Sequence, residues 1–208
     1  MSGRHRTEVQ LKTGYQRPSL RPLLIAVVAS MAFSQTAVSQ QSPASDAPSG
    51  TEMTPRGERE VKDVSYGDWR KLCFQPSGAK MVCRTSVTGT FATGQMAVRL
   101  DIIEREGDGA GRLQVFSPVG MYLQNPVKLT IDQGKPYRVP YTWCLTNTCI
   151  AGTVVDPRLI EEMNTGRMLR LEFVDSNLLS LTTSLPLGQF ALVHKNAPAQ
   201  KFEQDIDE

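Results

Sequence analysis

Apolar and polar side chains alternate residue by residue through three separate stretches of this 208-residue chain. Val127, Leu129 and Ile131 are interleaved with Lys128, Thr130 and Asp132. Met96, Val98, Leu100 and Ile102 alternate with Ala97, Arg99, Asp101 and Ile103, and Leu169, Leu171 and Phe173 with Arg170, Glu172 and Val174. A period of two sends successive side chains to opposite faces of a strand. Each stretch therefore has one face to bury and one to leave wet, as in antiparallel sheets. Turn formers separate the runs: EGDGAG (106–111), DQGKP (132–136), NTG (164–166) and DSN (175–177). Many short strands spaced by turns predict an all-β sandwich or barrel. One stretch departs. DPRLIEEMNTG (156–166) offers Asp156 as N-cap, Pro157 at the first helical position and Gly166 as the stop, predicting one short helix. Glu161 and Glu162 are neighbours on that helix and point apart, so they do not converge as an acid–base pair; favourable charge near a helix N-terminus accounts for them.

The four cysteines fall into two local pairs, Cys73/Cys83 and Cys144/Cys149. If YTWC and CIAGT are adjacent antiparallel strands, LTNT (145–148) is a four-residue hairpin loop and Cys144 faces Cys149. Opposed residues of an antiparallel pair have Cα atoms about 4.5–5.5 Å apart, inside the range of about 4.4–6.8 Å that a disulfide usually spans. The first pair encloses FQPSGAKMV, whose Pro-Ser-Gly also permits a turn. A redox couple favours C-x-x-C at a helix N-terminus, and zinc favours tight ligand pairs; neither spacing is present. Two structural bridges are the favoured reading, with cross-pairing between the two loops left open by sequence alone.

Compartment follows from the N-terminus. Arg17 and Arg21 precede an eleven-residue apolar run, LLIAVVASMAF (23–33), and Ala37-Val38-Ser39 supplies a small-residue exit. That order describes a secretory signal peptide at 1–39, cleaved before Gln40. The run is short for a bilayer span, which needs about 20 residues, so no permanent membrane span is expected after cleavage. An inner-membrane signal anchor is the alternative. Residues 40–60 are rich in Pro, Ser, Gly and charge and read as a disordered linker. The domain occupies 61–196, and the acidic 197–208 reads as a flexible tail. Residues 1–39 carry five Lys/Arg and one acid, which leaves 18 basic and 20 acidic residues for the remainder. With its basic excess confined to the segment to be removed, the domain lacks the overall positive balance that nucleic-acid binding usually shows.

Catalytic groups are scarce. His5 lies in the leader, and His194 follows an apparent strand, FALVH, without a G-x-S-x-G elbow to supply a nucleophile. EGDGAG lacks the following Lys-Ser/Thr of a phosphate loop and reads as a hairpin tip. No carboxylate or imidazole cluster suggests a metal, and no cofactor is expected. Trp69 and Trp143, each near a cysteine, are expected to pack over the disulfides. A partner contact is expected in FSPVGMYLQNP (116–126), whose prolines break ladder pairing. Phe116, Met121, Tyr122 and Leu123 are its candidate contact residues, although a loop folding back to close the core would explain the same composition.

Several motifs together resemble the invasion-associated locus B family of exported proteobacterial proteins. They are YGDWRKLC (66–73), Cys83 after a short loop, SPVGMYLQNPVKLTIDQGKPYRVPYTWC (117–144), CIAG (149–152), the short helix, and SLPLGQFALVH (184–194). The loop LTNT departs in lacking the glycine often found before the second cysteine of that pair. The resemblance implies an immunoglobulin-like β-sandwich, a periplasmic or outer-membrane-associated location and no established enzymatic activity; it supplies no catalytic residues to carry over. The combined expectation is an exported, disulfide-stapled, non-enzymatic binding or envelope-support module. Its partner would be an unknown protein or envelope component, with the host-cell surface a further candidate. The competing class is a periplasmic thiol–disulfide enzyme or hydrolase, which titratable cysteines in the native protein would favour.

Overall fold

The alternating stretches pack as their period demands. Val127, Leu129, Ile131, Leu169, Leu171 and Phe173 are buried, as are Val98, Leu100 and Ile102, and all nine belong to one core cluster. The structure, a computed structural model, describes residues 52–204; the signal-peptide reading of 1–39, the linker as far as 51 and the last residues of the tail lie outside them. In chain order the strands are β1 (Gly57–Glu60), β2 (Val64–Tyr66), β3 (Arg70–Pro76), β4 (Val82–Phe91), β5 (Met96–Arg105) and β6 (Arg112–Pro118). There follow β7 (Val127–Ile131), β8 (Tyr137–Val139), β9 (Tyr141–Cys144), β10 (Thr148–Val154) and helix α1 (Pro157–Thr165). Strands β11 (Met168–Val174) and β12 (Leu179–Pro186), helix α2 (Phe190–Lys195) and β13 (Gln200–Gln204) complete it.

Two sheets face each other across the core. One has five strands in the order β1-β12-β11-β7-β8; the other has eight, in the order β13-β3-β4-β5-β6-β10-β9, with β2 beside β4. The expected all-β sandwich is present, with two additions. Gly57–Glu60 lies in the stretch read as linker, yet it pairs in parallel with β12. Gln200–Gln204, read as tail, pairs in parallel with β3. Among the described residues both are edge strands with a single neighbour, so the sheets are antiparallel only away from these edges.

Helix α1 starts as its sequence indicates. The Asp156 carboxylate accepts from the Arg158 N–H at 2.9 Å, Pro157 follows, and Leu159 and Met163, one turn apart, are buried. Gly166 ends the helix for a reason of space rather than φ. A Cβ there would lie 2.4 Å from Ile131 Cγ2 and 2.8 Å from the Glu162 carbonyl. The first turn holds no acid; Glu162 instead accepts from the Tyr137 hydroxyl at 2.9 Å, so its carboxylate ties helix to sheet. A second helix replaces the strand expected at FALVH. Phe190 is fully buried while Leu192 is 66% exposed, and His194 stacks on Phe190 one turn earlier with ring centres 5.2 Å apart. That spacing is helical. In so short a segment, alternation and helical periodicity are hard to tell apart.

Candidate functional site

The two ends of the family-like pattern meet in space. Trp69, from the GDW segment just before β3, is 5% exposed and meets Phe190 edge-on with ring centres 4.8 Å apart. Its indole N–H donates to the Pro186 carbonyl at 3.1 Å. Gln189 bridges the same two segments: its amide donates to Asp68 Oδ1 at 3.0 Å, and its Oε1 accepts from the Trp69 N–H at 3.3 Å. Lys71 reaches the far end of α2 and donates to the carbonyls of His194 (2.8 Å) and Asn196 (3.2 Å), a cation where a helix dipole is negative. His194 Nε2 lies 3.0 Å from Glu104 Oε2 on β5, and this bond holds the Glu104 carboxyl below its usual range against the opposing effect of burial. Trp69, Lys71, Glu104, Gln189 and His194 thus form a latch that seats α2. His194, expected as an ordinary residue after a strand, is a half-buried member of this latch.

The run VKLTIDQG also encodes a joint. Asp132 adopts φ 48, a left-handed conformation that Asp tolerates better than most residues. Its carboxylate accepts from the N–H groups of Arg167 and Met168 at 3.0–3.2 Å, while its own N–H donates to the Met168 carbonyl at 2.9 Å. The end of β7 is thereby fixed to the start of β11.

Both local disulfides are formed, Cys73–Cys83 and Cys144–Cys149, each with Cα atoms 4.0 Å apart. Each joins residues directly opposed across an antiparallel pair. The separation is shorter than the 4.5–5.5 Å typical of opposed residues and than the span of about 4.4–6.8 Å usual for a disulfide. The hairpin is tighter than expected: the Leu145 N–H donates to the Thr148 carbonyl at 2.7 Å, leaving Thr146 and Asn147 at the tip. Trp143 does not pack into the core over its neighbouring bridge. It is 54% exposed, because it adjoins Cys144 in the strand and the pleat turns it to the opposite face.

The four candidate contact residues are divided between surfaces. Phe116 lies on the outer face of the eight-stranded sheet, half-buried, with the Arg99 guanidinium 3.8 Å from its ring centre. Met121 bridges to Asp175 and packs against the core. It also lines an 80 Å³ apolar cavity between the sheets with Val64, Phe91, Val98, Phe173 and Leu181. Tyr122 is half-buried; its N–H donates to the Val174 carbonyl at 2.7 Å and its hydroxyl to Gln124 at 3.0 Å. Gly120, at φ 91, allows the chain to leave β6 for this crossing. Leu123 stays 46% exposed and borders a 390 Å³ groove with Pro126, Arg138 and Tyr141. Among the described residues no group of three His, Cys, Asp or Glu could hold a metal ion, and no helix is long and apolar enough to cross a membrane.

Two facing sheets, local cross-strand disulfides and a latched helix define a small stapled β-sandwich. The family model for invasion associated locus B (IalB) protein matches residues 69–198. The chain belongs to that family. The crystal structure of invasion associated protein b from Bartonella henselae is similar, with 22% identity and a TM-score of 0.55. That match covers 62% of this chain and 90% of the other, and at this identity the likeness concerns the fold. No curated protein matches the chain.

Proposed function

We propose that this invasion-associated family member is exported to the cell envelope and works there as a non-enzymatic binding module. One observation carries the reading. The polar groups in its most distinctive motifs are engaged in holding the fold: Asp68 and Gln189 with each other, Lys71 on the end of α2, and Asp132 on the start of β11. A side chain committed to such bonds is poorly placed to activate a substrate. Both disulfides accord with an oxidising compartment, and the basic-then-apolar order of residues 17–39 accords with export and cleavage. Contact with a protein or envelope component, in the host or the bacterium, runs through Leu123 and its groove rather than through Met121, which closes the sandwich.

Cell fractionation with N-terminal sequencing tests the compartment. The mature chain is expected to begin near Gln40 in the periplasmic fraction or loosely held to the outer membrane; an intact leader on exported protein would instead indicate an anchor. Thiol titration of the native protein tests the class, and reactive cysteines would favour a thiol–disulfide enzyme. For the contact, Leu123→Ser should leave the melting temperature nearly unchanged and reduce capture of envelope or host-membrane partners. Unchanged capture would move the contact elsewhere.

A further inference from the structure

The two outer faces of the sandwich differ in charge. On the five-stranded sheet, cations are met by carboxylates: Lys128 lies 3.0 Å from Glu172 and 3.7 Å from Glu52, Arg138 pairs with Glu52, and Arg170 pairs with Glu58. The eight-stranded sheet is different. Its register places Gln200, Leu72, Arg84, Ile103, Arg112 and Val154 in one continuous row across six strands. One step along, Phe202, Phe74, Val82 and Arg105 form a second row. On the other side run Arg70, Ser86, Asp101 and Gln114, and beyond them Thr88, Arg99, Phe116, Ile150 and Trp143. Because these rows are two residues apart on every strand, they share the face that points away from the core.

These rows carry five arginines and one carboxylate, and Asp108 adds a second carboxylate in the groove beside Arg105. Asp101 is 1% exposed and paired with Arg99 at 3.2 Å, so it presents almost no charge to solvent. Arg105 lies 3.8 Å from Asp108. Arg70, Arg84 and Arg112 are exposed and make no ion pair among the described residues. Large apolar side chains stand between and beside them: Phe74 is 42% exposed, Phe202 45%, Trp143 54% and Val154 67%. Two shallow grooves, of 510 and 300 Å³, meet at Val82 and Ile103. An acidic protein segment would satisfy the arginines alone. A bilayer surface bearing anionic headgroups satisfies both halves, since guanidinium groups bind phosphate while aromatic and aliphatic side chains settle at headgroup depth. A broad sheet face with cations spread over four strands suits an extended surface better than a narrow ligand.

We propose that the outer face of the eight-stranded sheet docks on a lipid surface rich in anionic phospholipid. Arg70, Arg84 and Arg112 contact phosphates, and Phe74, Phe202, Val154 and Trp143 enter the interface. The proposal names a second partner for the binding module, on a different surface from Leu123, and purified protein tests it whether or not the export reading holds.

The experiment measures partition of the natively purified protein onto phosphatidylcholine vesicles with and without phosphatidylglycerol. Binding is expected only to the anionic vesicles and should weaken as salt is raised. Replacing Arg84 and Arg112 together by Gln should reduce partition about thirtyfold, from the electrostatic contribution of two surface arginines. The matched removal of two charges from the opposite sheet, Lys128→Gln with Arg170→Gln, should leave it within a factor of two or three, with melting curves confirming that both variants fold. Emission of Trp143 should shift to the blue on anionic vesicles, and Trp143→Phe should lose that shift. Equal partition onto neutral and anionic vesicles would overturn the proposal, as would equal losses in the two double variants. So would retention by an immobilised acidic peptide or polysaccharide with no vesicle binding.

Discussion

Replacing each disulfide by an alanine pair should give two different kinds of damage. The bridges close short loops, with sequence separations of 10 for Cys73–Cys83 and 5 for Cys144–Cys149. Loop-closure entropy alone then assigns them about 2.7 and about 2.1 kcal/mol, a difference too small to separate by experiment. Their positions separate them. Cys73–Cys83 joins β3 to β4 inside the sheet, and β3 also carries β13 and supplies Lys71 to the α2 latch. Loosening it exposes Trp69 and Phe190, so its loss should register in global unfolding. Cys144–Cys149 fastens β9, a four-residue edge strand whose only partner among the described residues is β10. Without the bridge β9 can fray while the rest stays folded.

The Cys73→Ala/Cys83→Ala variant should therefore melt about 5–11 °C lower, from the loop-closure figure at about 2–4 °C per kcal/mol. The Cys144→Ala/Cys149→Ala variant should lose less than half as much. Its amide protection should fall in β9 and the adjoining half of β10 and be retained in β4 and β5. Thermal melts under non-reducing conditions and amide hydrogen exchange read both quantities. If the second variant melts as low as the first, or if its lost protection spreads through the eight-stranded sheet, the distinction between an internal and an edge staple is wrong.

Phe190→Ala empties the largest fully buried site and should cost about 3–5 kcal/mol, measured by denaturant titration, with Trp69 emission moving to the red as its aromatic neighbour is lost. Met121→Ser removes a half-buried side chain that packs on the core; a loss of about 1–2 kcal/mol is expected, below the full-burial range, and an unchanged melt would return Met121 to the list of contact residues. Glu104→Gln tests the bond to His194 through pH. A carboxyl held below its usual range stabilises the fold above the unfolded-state value of about 4.3 and loses that contribution as pH falls through the folded value. The variant should thus be less stable than the parent at neutral pH, and the gap should close as pH is lowered from about 4.3; a gap that persists into strong acid would mean that the carboxylate is not its source.

The strands at the centre of each sheet were legible because their residues separate by face. Val127, Leu129 and Ile131 are buried and the side chains between them are not, so alternation alone identifies β7. Helix α1 was legible from Asp156, Pro157 and the Leu159/Met163 spacing. The two parallel edge strands, β1 and β13, were not. GERE in β1 is exposed along its whole length, and QKFEQ in β13 is polar apart from Phe202. Such strands are held by backbone bonds to one neighbour, a kind of order to which composition is blind. Trp143 was misplaced for another reason. The opposition of Cys144 and Cys149 was derivable, and the same pleat requires the residue beside Cys144 to face the other way. Proximity in sequence to a cysteine suggested proximity in space to the bridge, but in a strand adjacent side chains are separated by the sheet itself.

That geometry also bears on where function can vary within the family. The motifs that carry the resemblance supply the α2 latch, the Asp132 joint and the cysteine register, and each sits where an altered side chain would break a bond the fold uses. Arg84, Arg105, Arg112 and Phe202 lie outside those motifs and project from the far side of the same sheet. Their side chains can change without disturbing the core, since exposed positions away from such bonds typically shift stability by less than about 0.5 kcal/mol. A sandwich of this design can therefore keep its latches and staples while its outer face is retuned for a different surface.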